Sequence, residues 1–227
     1  MINEIRSALS CLPYFSVMFV MAMCVSFGST HAQTNTAPAA TPAAAEAATS
    51  PADLQKAEAY LQTLKTVKAR FTQTNPDGSM SKGTFYLSRP GRLRFEYDAP
   101  ITDLVVADGF LIHFYDGIAK QASNAPIGQT LADFLLRKKI SLSGDVKATR
   151  VRRGGGLLQI TMVQINDPGA GSLTLGFTEE PYQLKKWRVV DATGAITEID
   201  LSEFQPNVTL APSLFVYNSP AGDRLNR

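Results

Sequence analysis

From Val67 onward, apolar and polar side chains alternate in short runs, which is the period of a half-buried strand. Turn residues separate the runs at Pro76-Asp77-Gly78, Pro90-Gly91, Asp108-Gly109, Asp116-Gly117, Gly154-Gly155-Gly156, Asp167-Pro168-Gly169 and Ala192-Thr193-Gly194. This punctuation predicts roughly ten or eleven strands in an antiparallel meander. Two helices, each of roughly three to four turns, are expected beside them. The first starts at Ser50-Pro51-Ala52-Asp53, with Ser50 as N-cap, Pro51 at the first helical position and Asp53 in the first turn. Leu54, Ala57, Leu61 and Leu64 then share one face. The second starts with the capping-type pattern Thr130-Leu131-Ala132-Asp133 and carries Leu131, Phe134, Leu135 and Lys138 at helical spacing.

One hairpin stands out. In FYLSRPGRLRFEYDAP, residues 85–100, counting by twos from Phe85 and Leu87 arrives at Arg89, so a guanidinium projects from the apolar face. Leu93, Phe95 and Tyr97 on the next strand are odd-numbered too, which requires a loop with an odd number of residues. A Pro90-Gly91-Arg92 loop sets Arg89 opposite Leu93, Leu87 opposite Phe95 and Phe85 opposite Tyr97, giving one continuous apolar face.

A sheet of about ten strands with one apolar face is large for two short helices to cover. Either it closes into a barrel filled by its own side chains, or it stays open over an apolar cavity beneath the helices.

The N-terminal segment changes the picture of where the protein works. Arg6, the apolar run Leu12 to Phe27 and Thr30-His31-Ala32 form a secretory signal pattern, with cleavage expected after Ala32 and residues 1–32 removed. Residues 33–50, rich in Ala, Pro and Thr, are expected to be a flexible leader. Both cysteines, Cys11 and Cys24, fall in the removed part, so no disulfide or thiol chemistry is expected in the mature chain. Losing Arg6 and Glu4 leaves 21 basic against 19 acidic residues, still +2, without the basic block that nucleic-acid binding needs. The Arg137-Lys138-Lys139 and Arg150 to Arg153 clusters read as solvated faces.

Catalytic groups are not apparent. The mature chain has one histidine, His113, which reads as a hydrogen-bonded strand residue, and no metal-ligand set can be built on it. There is no nucleophile elbow, phosphate loop or pair of carboxylates at apolar positions; Glu179-Glu180 precedes Pro181 in a turn. Trp187, the only tryptophan, reads as core. The sequence therefore describes a non-enzymatic binder or carrier of an apolar ligand, needing no cofactor and no metal.

The segments ARFTQ (69–73), Gly83 with FYLSRPGRLRFEYDAP, VADGFLIHFYDGIAKQA (106–122) and LFVYNSPAG (214–222) resemble the LolA family of periplasmic outer-membrane lipoprotein carriers. The resemblance runs from about residue 53 to the end and puts the carrier domain at 51–227. It implies a mainly β fold with α: an unclosed antiparallel half-barrel of about eleven strands, with helices covering the concave apolar side as a lid. It implies a periplasmic chaperone that takes acylated lipoproteins from an inner-membrane ABC transporter complex and delivers them to an outer-membrane lipoprotein acceptor, working as a monomer. Carried over by position, Phe71, Phe85, Leu87, Leu93, Phe95 and Tyr97 on the strands line the lipid cavity, with Leu131, Phe134 and Leu135 on the second helix. Arg89 becomes a lid latch, because a guanidinium on an apolar face needs acceptors and the free carbonyls at a helix C-terminus are suitable. Leu131 stands where the family pattern has Pro, and the Ala/Pro leader lies outside that pattern. The alternatives are a related carrier of another lipid or glycolipid, and a protein-interaction or sensor module on the same half-barrel.

Overall fold

The computed structural model describes residues 50–130 and 132–219. The expected signal segment, the leader up to residue 49, and Leu131 lie outside the described residues. A helix α1 (Pro51–Thr63) leads into the strands β1 (Thr66–Thr74), β2 (Met80–Ser88), β3 (Arg92–Tyr97), β4 (Leu104–Asp108), β5 (Leu111–Asp116) and β6 (Gln121–Pro126). A connecting segment with the short helix α2 (Asp133–Leu136) follows. Then come β7 (Val146–Gly154), β8 (Leu157–Gln164), β9 (Gly171–Glu179), β10 (Tyr182–Asp191) and β11 (Ile196–Pro206). All seven turn signals fall at strand connections.

The strands form one antiparallel sheet in the order β6-β5-β4-β3-β2-β1-β11-β10-β9-β8-β7. The two arms join where β1 pairs with β11, Phe71 opposite Leu201. Strands β6 and β7 are sequential in the chain yet stand at opposite edges, so the sheet is unclosed and residues 127–145 must cross from one edge to the other.

The hairpin at Arg89 corrects the expected register. Leu87 pairs with Leu93, Phe85 with Phe95 and Gly83 with Tyr97, so the three-residue loop is Arg89-Pro90-Gly91 and not Pro90-Gly91-Arg92. The parity argument survives because the loop is still odd. The loop starts one residue earlier because the Arg89 N–H donates to Lys65 O of the preceding connection at 2.8 Å, and Gly91 takes the left-handed φ of 81° that the corner requires. Arg92 is then free to pair with Ser88.

The second helix is much shorter than expected. Thr130 does not cap it: its hydroxyl donates back to Ile127 O at 2.9 Å, and the helix ends at Arg137, whose ψ is 151°. The carbonyls that would continue the helix are taken elsewhere, since Leu136 O accepts from Gly91 N at 2.8 Å and Lys138 O from Gln62 Nε2 at 3.1 Å. Ser50 occupies the N-cap position of α1 but contributes its carbonyl, not its hydroxyl.

The core is the concave face. Cross-strand rows such as Val67, Leu87, Leu93, Ala107 and Ile112 are buried, and α1 closes over them with Ala57, Leu61 and Leu64, the face its spacing predicted. Strand β4 is buried on both faces: Ala107 belongs to the concave core, whereas Leu104 and Val106 form a second cluster with Tyr115, covered by Tyr217 of the C-terminal segment. His113 stacks on Tyr217 with ring centroids 4.5 Å apart and bonds to Asp108 Oδ2 at 3.0 Å, the hydrogen-bonded strand role expected of it. No described helix is long and apolar enough to cross a membrane.

Candidate functional site

The concave wall is aromatic at its centre. Phe85 lies 4.9 Å from Phe95 and 5.4 Å from Trp187, and Phe71 lies 5.2 Å from Phe95 and 5.1 Å from Tyr97, centroid to centroid. The Phe71 ring rests directly on Gly83, its partner across the β1–β2 ladder: a Cβ there would meet Glu96 O at 2.2 Å and the ring at 2.6 Å. Burial pushes the Tyr97 hydroxyl up to about 12, and that hydroxyl donates to Gln73 Oε1 at 2.8 Å. The centre of the wall thus offers continuous apolar surface, with the Tyr97 hydroxyl satisfied by Gln73.

Arg89 lies on this wall beside Phe85 and Leu87 and is bonded to the end of α1. Its Nε donates to Leu64 O at 2.7 Å, and Nη2 donates to the carbonyls of Leu61 and Leu64. Carbonyls in the last helical turn lack intrahelical partners and carry the negative end of the helix dipole. Helix α1 has no basic residue of its own in that turn, so Arg89 supplies the cation from the sheet. Burial pulls its guanidinium below the ordinary arginine value, though arginine stays charged in proteins.

Other bonds hold α1 in place. Leu184 N of β10 donates to the Tyr60 hydroxyl at 3.1 Å, and burial raises the pKa of that phenol. Gln62 pairs with the crossing segment like a strand, donating to Lys138 O and accepting from Ile140 N at 2.9 Å. Glu58 accepts from Leu142 N. Arg153 also reaches Asp53, at 2.7 Å, but both groups are partly solvated and the pair contributes little. The corner that carries Arg89 therefore touches both covering elements, α1 through the side chain and α2 through Gly91 N.

Between α1 and the wall lies an apolar void lined by Leu61, Leu64, Val67, Phe85, Leu87, Arg89, Leu135, Leu184, Trp187 and Phe204. Its volume is about 10 Å³, room for about one water molecule. Of the residues expected from sequence, Phe85, Leu87, Leu135 and Arg89 meet at this void. Phe71, Leu93, Phe95 and Tyr97 extend the same wall away from it. Phe134 lines a separate cleft between the crossing segment and β7 to β9, and Leu131 lies outside the described residues.

Sequence reasoning placed Trp187 in the core, where it lies, but did not group it with Leu184 beneath α1, and the reason is local. A bulge between Leu184 and Lys186 shifts the register, so residues three apart face the same side, opposite Phe177 and Leu175. Strict alternation hides that. Arg137 also departs from expectation: it is not a solvated charge but is bonded to Asp145 Oδ1 at 2.7 Å and to Asp133. Glu58 and Gln62 carry no sequence signal, because their partners lie about 80 residues away. Among the described residues no group of three or more His, Cys, Asp or Glu could hold a metal ion.

Known proteins share this pattern. The family described as "Outer membrane lipoprotein carrier protein LolA" matches residues 62–218. An outer-membrane lipoprotein carrier protein of Methylibium petroleiphilum is 32% identical over 213 residues, covering 90% of this chain and 95% of its own. Its counterpart from Methylococcus capsulatus is 29% identical over 79% of this chain and 88% of its own. A crystallised LolA superfamily protein from Nitrosomonas europaea superimposes with a TM-score of 0.40 at 10% identity, covering 72% of this chain and 97% of that one. With the family pattern spanning most of an unclosed half-barrel whose concave face is apolar, the chain belongs to the LolA family of outer-membrane lipoprotein carriers.

Proposed function

We propose that this protein is a periplasmic lipoprotein chaperone: it shields the acyl chains of lipoproteins against the concave wall and carries them toward the outer membrane. The observation that carries this reading is the apolar void of about 10 Å³ beneath α1. An acyl chain cannot fit beside a helix that leaves room for one water, so loading requires α1 to lift from the wall. The apolar faces of α1 and the wall, which cover each other, are then available to the chains. Each buried methylene contributes about 0.8 kcal/mol, so the chains can offset both the hydrogen bonds and the apolar contacts that α1 gives up on lifting. Arg89 is the latch in this cycle, favouring the seated helix and so favouring release of cargo. The donor is an inner-membrane ABC transporter complex and the recipient an outer-membrane lipoprotein acceptor.

Native mass spectrometry of the protein isolated from its own periplasm tests the reading. A bound acylated polypeptide is the expected result. A free lipid as the sole adduct would instead support a carrier of another lipid, and an absence of acylated adducts together with a protein partner would support an interaction module; either would overturn the proposal.

A further inference from the structure

The unclosed sheet ends in two edge strands, and they are built differently. Strand β7 carries Lys147, Arg150, Arg152 and Arg153 and a bulge between Ala148 and Arg150, the devices that keep an edge from pairing with another chain. Strand β6 has no charged residue and no bulge. Its ladder fixes which of its backbone groups are open. Ile127 N donates to Phe110 O at 3.2 Å, so in the alternating pattern of an antiparallel pair Gln121, Ser123 and Ala125 bond to β5. The N–H and C=O groups of Ala122 and Asn124 then point away from the sheet, and no partner among the described residues takes them. Pro126, next in that series, has no N–H to leave open.

The concave wall leads to this edge. Phe85 pairs with Phe95, Phe95 with Val105, Val105 with Phe114 and Phe114 with Ser123, so one cross-strand row runs from the aromatic centre to β6. The row is buried at Phe85 but 39% exposed at Phe114, so the apolar wall emerges into solvent beside β6. We propose that the open edge of β6 is a docking strip for an extended polypeptide, and that its occupant is the stretch of cargo following the acylated residue, paired as one further strand of the sheet. The inference rests on the carrier reading above and adds to it a site made of backbone, which holds the protein part of the cargo whatever its sequence. Hydrogen bonds of this kind are individually modest, so a free peptide gains little from them. A peptide already held by its acyl chains meets the edge at high effective concentration, and the same bonds then count.

The test uses three probes: a short Gly/Ser/Thr peptide with a dioctanoyl group on its first residue, the same acyl group on a single amino-acid amide, and the lipopeptide N-methylated along its backbone. In the wild-type protein, hydrogen exchange at the Ala122 and Asn124 amides should slow about tenfold or more with the lipopeptide and stay unchanged with the single-residue amide. The lipopeptide should also bind about tenfold more tightly than its N-methylated twin, the span of about two such bonds. Asn124→Pro removes an outward N–H and leaves the β5 ladder intact, so it should bind the lipopeptide about threefold to tenfold more weakly than Asn124→Ala, which keeps that N–H. Binding of both acylated probes with unslowed amides, or equal affinity for the lipopeptide and its N-methylated twin, would overturn the edge site and leave the carrier reading intact. Slowing by the single-residue amide as well, or slowing that rises with protein concentration when no probe is present, would assign the protection to the acyl chains or to a second copy and would also overturn it. Binding of neither acylated probe would overturn the carrier reading and the edge site together.

Discussion

Arg89 and Leu64, 25 residues apart, are joined by a bond from Nε to the backbone carbonyl at 2.7 Å, so a side chain from the β2–β3 loop caps the end of the helix that covers the sheet. Each such charged hydrogen bond is worth about 1.5–3 kcal/mol. Arg89→Leu keeps an apolar side chain on the wall and removes the bonds to α1. The lifted form becomes more populated, and apparent affinity for acyl probes should rise by about tenfold to a hundredfold. Transfer to an acceptor should slow in step. Probe titration and a transfer assay, wild type against variant, check both; unchanged binding with unchanged release would reduce Arg89 to a rim residue.

Phe95 sits between Phe71, Phe85 and Trp187 on the wall. Phe95→Glu places an unpaired charge on the surface that acyl chains are proposed to cover, a penalty of several kcal/mol. Binding of a fatty-acyl probe should be lost while the far-ultraviolet dichroism remains that of a β protein. Wild-type affinity in the folded variant would put Phe95 outside the site.

At Gly83 any side chain collides with Glu96 O and with the Phe71 ring. The first obstacle is backbone and the second a ring buried to 1% exposure, so neither yields easily. Gly83→Ala should lower unfolding free energy by about 1–3 kcal/mol, read from urea denaturation with m unchanged. A variant as stable as wild type would mean that β2 can move away from β1 at this point.

Gln62 holds the crossing segment to α1 through two hydrogen bonds, each worth about 0.5–1.5 kcal/mol. Gln62→Ala should release the Ile140 amide, which then exchanges with solvent faster by about tenfold, while protection in β9 and β10 is unaltered. An unchanged Ile140 rate would show that the segment is held by its packing alone.

Asp108 bears on stability in acid. Burial works to raise its pKa, but the amides of Leu111 and Phe110 and the His113 ring outweigh burial and hold the carboxyl down at about 2. A depressed carboxyl stabilises the fold fully above its unfolded value of about 4, and that contribution disappears as pH falls toward 2. The urea midpoint should therefore drop between pH 5 and pH 3 by less in Asp108→Asn than in wild type. Equal drops would assign the acid sensitivity to other carboxylates.

Much of this arrangement is legible before any coordinates exist, and the unread parts share a cause. Alternation and turn residues locate the strands, and parity alone puts Arg89 on the apolar face. What parity does not supply is a partner at long range. The carbonyls that meet Arg89 belong to α1 because that helix ends beside the same corner, and the shortness of α2 follows from Gly91 and Gln62 taking its carbonyls. Trp187 reads as core, but its place beside Leu184 is hidden because one bulged residue breaks the period on which the reading depends. The cover over Val106 comes from Tyr217, a residue that no local pattern ties to β4.

The pairing of β1 with β11 sets the order in which the molecule can assemble. Strands β1 to β6 form neighbour by neighbour as a chain grows from its N-terminus, but Val67 must wait for Pro206. Until then β1 presents an open edge, with Ala69 and Phe71 beside it, to any other unfinished chain. Long-range closure of this kind is slow compared with hairpin formation, so a newly exported chain passes through an interval of vulnerability to aggregation. A protein whose work is to shield other chains is itself in need of shielding until its last strand arrives.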